Sequence, residues 1–147
     1  MTIRTKKIKK SATDAIVRSY ESQVKKIIAF AGQEIRNIAV QSIHQASPAG
    51  NTYEKYSPRR THTAARTGNP PNTDTGYLAN NIHMVFTPNG LGVEVESRAQ
   101  YSAYLELGWT TPTGQFVQFP FLVPATEEVR PKVRKLMRTL KAKGGIK

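Results

Sequence analysis

Apolar residues recur at Ile16, Val17, Tyr20, Val24, Ile27, Ile28, Ala31, Ile35, Ile38, Ala39 and Ile43, at spacings of three and four. One unbroken stripe of that period predicts a single helix over about 12–45, roughly 50 Å long at 1.5 Å per residue. Ser11 followed by Asp14 fits its N-cap and first turn. A rod of that length with one apolar side has to be laid against other elements, so the rest of the chain must supply a surface to cover. Gly32 inside the stripe costs about 1 kcal/mol as a helix residue, which points to a close approach or a bend there.

The second half supplies that surface. Ile82, Met84 and Phe86 alternate with His83, Val85 and Thr87, and Val93 and Val95 alternate with Glu94 and Glu96. With Thr87-Pro88-Asn89-Gly90 as the turn, this is a hairpin with one apolar face. Tyr101, Tyr104, Leu105 and Leu107 give one helical turn that Gly108 stops. A loop of Thr, Pro and Gly follows, and the apolar run Phe116, Val117, Phe119, Phe121 predicts a further strand beside the hairpin. Pro124 fits the first position of a last helix whose stripe is Val129, Val133, Leu136, Met137 and Leu140. Acids at Glu127 and Glu128 lie near its start, Pro131 delays or kinks it, and Gly144-Gly145 ends it. The expected fold is α+β: a small, mostly antiparallel sheet covered by a long N-terminal helix and a C-terminal helix.

At 147 residues the length suits one domain. The apolar share of 38% is low for a globular chain and implies a tail or a long loop. That loop is residues 46–76, where apolar periodicity vanishes and Pro48, Pro58, Pro70 and Pro71 punctuate the chain. It reads as a long, irregular, basic insertion, mobile in the free chain. The domain organisation is then a basic arm at 1–10, a single α+β domain at 11–143 and a tail at 144–147.

The formal charge is +12. It is concentrated in Lys6, Lys7, Lys9 and Lys10 at the start, in the final helix and tail, and in Lys55, Arg59, Arg60 and Arg66 of the insertion. Basic ends and a basic loop suit contact with a polyanion, either DNA or an acidic partner. Tyr53 and Tyr56 among these cations suit nucleic-acid contact or insertion into a neighbouring subunit. The chain has no cysteine, so it has neither a disulfide framework nor a thiolate metal site. No secretory h-region or membrane-length apolar run is present, which implies synthesis in the cytoplasm.

Catalytic patterns are missing. His44, His62 and His83 are too scattered for metal ligation. Ser57, His62 and Asp74 can be strung into a triad only across a loop without a nucleophile elbow. Glu94 and Glu96 share a strand face as solvated acids, and no Gly-rich phosphate loop exists. The reading is an assembly protein with no enzyme activity, cofactor or metal. The loop from Trp109 to Phe119, held between two apolar anchors, is its docking device, with Trp109, Phe116 and Phe119 as contact residues. A tryptophan exposed after a helix-ending glycine is costly without a partner.

Three segments in order carry a family resemblance. Asp74-Thr75-Gly76-Tyr77-Leu78 with Ile82 is similar to a "TG-x-L…-S-I" motif, Tyr101–Gly108 to "Y-A-x-Y-x-E-F-G", and Pro120–Ala125 to "P-F-L-x-P-A". Together they resemble the tail-completion, or head–tail joining (neck, minor tail), proteins of tailed bacteriophages, over about residues 74–140. The chain departs at Trp109, where a small polar residue is usual, and at Phe119, where a basic or polar one is. The resemblance implies a virion structural protein, without catalysis, in a homo-oligomeric ring around the DNA channel, usually a hexamer. Its partners would be the tail tube or terminator protein, the head-completion or connector protein, and lumen DNA bound without sequence preference. Glu106 would satisfy loop backbone donors or pair with a neighbour. The rival reading is a sequence-nonspecific nucleic-acid-binding domain or assembly factor.

Overall fold

The computed structural model describes the backbone of residues 5–140 and the side chains of residues 13–140. The side chains of Lys6, Lys7, Lys9 and Lys10, the tail at 144–147 and the expected stop at Gly144-Gly145 lie outside the described residues. The chain is α+β, as expected. Helix α1 (Thr5–Gln45) is followed by strands β1 (Thr52–Tyr56) and β2 (Arg59–Thr63) and the short helix α2 (Tyr77–Asn80). Strands β3 (Ile82–Phe86) and β4 (Val93–Ser97), helix α3 (Ser102–Leu107), strands β5 (Trp109–Thr110) and β6 (Phe116–Val117), and helix α4 (Leu122–Arg138) complete it.

Helix α1 starts before Ser11, so the helix passes through the expected cap and through part of the expected arm. Its stripe is used unevenly. Ala39 and Ile43 are fully buried, whereas Val17 remains 49% exposed. The cover explains the gradient. The β3–β4 hairpin lies along α1 with Ile82 O accepting from Arg36 Nε at 2.9 Å and with Gly90 of the turn against the Lys25 stem. Midway, a Cβ on Gly32 would come within 2.7 Å of Val93 Cγ2, so the glycine marks a close approach of helix to hairpin. Helix α4 packs antiparallel on α1, with Ala125 and Val129 buried and Lys132 Nζ 3.5 Å from Glu34 Oε2.

The core gathers Ala39, Ile43, Leu78, Ala79, Ile82, Ala99, Phe121 and Ala125. Four of these eight are alanines, because two helices and a hairpin converge there at short distance. The hairpin forms as expected, with Met84 opposite Val95 and Phe86 opposite Val93. Its turn is as the sequence implies: Gly90 has φ 69°, and Leu91 N donates to Asn89 Oδ1 at 2.9 Å.

Three expectations are corrected. The strands do not form one sheet; they form three separate antiparallel ribbons, β1–β2, β3–β4 and β5–β6. Phe116-Val117 pairs with Trp109-Thr110 across the Thr/Pro/Gly loop instead of extending the hairpin, since a local turn closes at less entropic cost than a distant pairing. Phe119 and Phe121 lie past that ribbon, and Phe121 becomes the N-cap of α4, at 1% exposure. Pro124 therefore occupies the third helical position, not the first.

The third correction concerns residues 46–76, which are irregular only in part. Thr52–Tyr56 pairs with Arg59–Thr63 through a Ser57-Pro58 turn. Tyr and Thr carry strand preference without an apolar face to reveal it. The segment after the ribbon is woven into the domain: Ala65 is 3% exposed, Thr73 N donates to Ile43 O at 3.2 Å, and Gly68 N to Gln118 O at 2.7 Å. No helix among the described residues is long and apolar enough to cross a membrane.

Candidate functional site

Two features stand out, the outward side of α3 with β5–β6 and the pocket beneath the β1–β2 ribbon. Helix α3 is largely inverted relative to an ordinary surface helix: Leu105 packs against the core, but its larger exposed side chains are apolar or aromatic. Tyr101, Tyr104 and Leu107 follow one another at intervals of three and face outward, at 44%, 68% and 73% exposure. Glu106 faces inward. Its Oε2 accepts from Phe121 N (2.9 Å) and Leu122 N (3.0 Å), and its Oε1 accepts from Val123 N (2.8 Å).

That carboxylate is the N-terminal cap of α4, delivered from another helix. A helix start leaves four backbone N–H groups without partners. Here Glu106 takes the N-cap residue and the next two, and the fourth position is Pro124, which has no N–H. The negative charge also sits at the positive end of the α4 dipole. Gln118 Nε2 donating to Glu106 O at 2.7 Å and Phe119 N to Leu105 O at 2.8 Å tie the returning loop to the same helix. Glu106 thus satisfies backbone donors of its own chain, and its carboxylate is spent inside the fold.

Gly108 then turns the chain from α3 into β5, with φ 79° and ψ 173°. The Phe116 ring lies directly over it and is 55% exposed, and Val123 beside the Glu106 junction is 58% exposed. Trp109 is less open than its position in the sequence implies. It is 37% exposed and tilted against Phe119, with ring centroids 6.1 Å apart. Its partner is internal. Phe119 is half-buried and lines the neighbouring pocket, so of the three aromatic residues of the loop only Phe116 is broadly free. Tyr101, read from its spacing as part of the α3 stripe, faces out and meets Tyr77 at 6.3 Å.

The ribbon divides the basic insertion residues between its faces. Strand alternation puts Tyr53, Lys55, Arg60 and His62 on one side, and Glu54, Tyr56, Arg59 and Thr61 on the other. The first side closes on Asp74. Lys55 Nζ bonds Asp74 Oδ2, Arg60 Nη2 reaches the same oxygen at 3.1 Å, and His62 Nδ1 lies 3.7 Å from Oδ1. Arg60 is therefore not a free cation for DNA. Arg59 is, opposite Tyr56 at 76% exposure, and Arg66 is exposed with its Nε on Ala49 O at 3.2 Å. Ser57 sits in the ribbon turn, five residues along the chain from His62, so His62 and Asp74 meet without it.

The hydrogen bond from Lys55 holds the Asp74 carboxyl below its ordinary value of 3.8; burial opposes this, and the charges of Lys55, Arg60 and His62 add to it. A carboxyl lowered on folding stabilises the fold above its unfolded pKa and loses that contribution as pH falls through its folded pKa. The ribbon latch is therefore complete above about pH 3.8 and opens below it. Asp74→Asn should loosen the ribbon at neutral pH, costing about 1 kcal/mol because the partners are half-exposed. Faster amide exchange at residues 52–63, with the β3–β4 hairpin unchanged, is the expected reading.

No family model matches the chain, and neither a curated protein nor a solved structure is significantly similar to it.

Proposed function

We propose that this chain is a structural protein of a tailed-phage particle that completes the tail or joins it to the head. It acts as one subunit of a ring around the DNA channel, most simply a hexamer, between the tail tube or terminator protein and the head-completion or connector protein. The observation that carries this reading is the inverted helix α3, with Tyr104 and Leu107 in solvent and Glu106 locked inside. Side chains of that size, together with exposed Phe116 and Val123, form an apolar surface around one junction, and such surfaces mark contacts between proteins. The second and third motifs of the resemblance also meet there, since Glu106 of one caps the helix opened by the other.

Quantitative mass spectrometry of purified, DNA-filled particles tests it. About six or twelve copies per particle are expected for a closed ring. Leu107→Glu should leave the melting of the free protein unchanged and remove it from particles. Abundance in lysate with absence from particles overturns the reading. That outcome would favour a nonspecific nucleic-acid-binding domain, for which the outward pair Tyr56 and Arg59 speaks. Such a domain would show a log–log salt slope of about −0.9 per phosphate contacted.

A further inference from the structure

The latch at Asp74 is also one wall of a pocket of about 450 Å³ between the ribbon and the body of the domain. That volume falls in the range of small-ligand sites, about 300–1,000 Å³. Its floor and far wall are apolar, with Ile43, Leu78, Leu105 and Phe119, and Tyr77 and Tyr101 stand at its side. Partial desolvation of the half-exposed Tyr101 phenol at the pocket's side, with smaller effects of Tyr77 and Asp74, raises its pKa above the ordinary value.

The polar wall has more donors than acceptors. Asp74 Oδ2 receives both Lys55 and Arg60 Nη2, while Arg60 Nε is buried without a hydrogen-bond partner. Asp74 Oδ1 is 3.7 Å from His62, too far for a hydrogen bond. Lys55 and Arg60 together carry one formal positive charge beyond that of Asp74, at the edge of a pocket with a largely apolar floor. A monoanion balances that charge. A phosphate dianion exceeds it and would have to shed a tight hydration shell against apolar walls. The Arg60 guanidinium and the Lys55 ammonium both line the pocket and offer charge-assisted donation suited to a carboxylate.

We propose that this pocket binds an organic carboxylate with a flat apolar body, its oxygens taken by Arg60 and Lys55 beside Asp74 and its body held between Tyr77, Tyr101 and Leu105. The ligand is either a free small acid or an acidic side chain beside an apolar residue in a partner polypeptide. The chemistry of recognition is the same for both. The inference stands on the pocket and not on the ring reading, so either can fail alone.

The test is calorimetric titration of the full chain with phenylacetate, its neutral isostere phenylacetamide, inorganic phosphate, and the blocked peptide acetyl-Phe-Glu-amide. Phenylacetate or the peptide should bind at one site per chain, about tenfold tighter than the amide or phosphate. Tighter binding of the peptide identifies a partner side chain as the source; tighter binding of phenylacetate identifies a free acid. Arg60→Gln should abolish the preference for the acid, and Arg59→Gln, on the outer face of the same ribbon, should keep it. If Arg60→Gln does not fold, Lys55→Gln serves as the comparison. Equal binding of acid and amide, equal loss in the Arg59 and inner-face variants, or no binding of either acid up to about 10 mM overturns the proposal.

Discussion

Glu106→Ala is expected to destabilise the domain by about 3 kcal/mol, through the loss of charge-assisted hydrogen bonds and of the dipole interaction at one helix end. Three backbone donors lose their acceptor together, and those of Phe121 and Leu122 are partly buried, so water replaces the carboxylate incompletely. The damage falls where α4 meets the core, next to buried Phe121 and Ala125. In a chain of this size the loss corresponds to a Tm lower by about 6–12 °C. Glu106→Gln keeps one acceptor oxygen without the charge and should recover roughly half of the loss. Urea denaturation of the two variants checks the order. A fall of less than about 1 kcal/mol in the alanine variant would mean that solvent caps α4 unaided.

Much of the fold was legible because two periods are strong in this sequence. The α1 stripe, the β3–β4 hairpin and the one-turn helix ending at Gly108 follow from spacing and turn residues alone. Gly32 could be suspected as a close approach, and Val93 is what approaches it. The ribbon at Thr52–Tyr56 and Arg59–Thr63 was not legible. Its strands have no apolar face, and the ribbon they form is fastened to Asp74, eleven residues beyond β2. Sequence patterning reports burial of apolar groups, and this ribbon is held by its backbone ladder and fastened by charge.

The site was read in part for the same reason. Glu106 could be named as a partner for backbone donors, but nothing local shows that those donors belong to α4, fifteen residues on. Trp109 was expected to need a foreign partner; Phe119 supplies an internal one once β5 and β6 pair. Leu107 was placed as the end of a helical turn, and its exposure depends on which way Glu106 must point. A carboxylate committed inward turns the tyrosines and the leucine out. The exposed apolar surface is thus a consequence of the cap.

Gly108→Ala should cost about 3 kcal/mol or more, beyond what its loss of backbone freedom explains. Its φ of 79° and ψ of 173° lie in a region that only glycine adopts readily. A Cβ there would stand 2.4 Å from Phe116 Cζ and 2.7 Å from Val117 O. The Phe116 ring is half-exposed and can swing away. The Val117 carbonyl is backbone in the ribbon opposite Trp109, so the strands must part for the methyl group to fit. Gly114 provides the control: its φ is 84°, and a Cβ would meet nothing within 4 Å. Gly114→Ala should therefore show only the left-handed backbone cost of about 1–2 kcal/mol. The chain has one tryptophan, and it sits in β5, so its fluorescence reports the ribbon directly. A red-shifted Trp109 emission in native Gly108→Ala, absent from Gly114→Ala, is the expected result. Equal costs and unchanged emission in both would show that the clash with Val117 is relieved without opening β5–β6, and that α3 can present its outer face without this ribbon behind it.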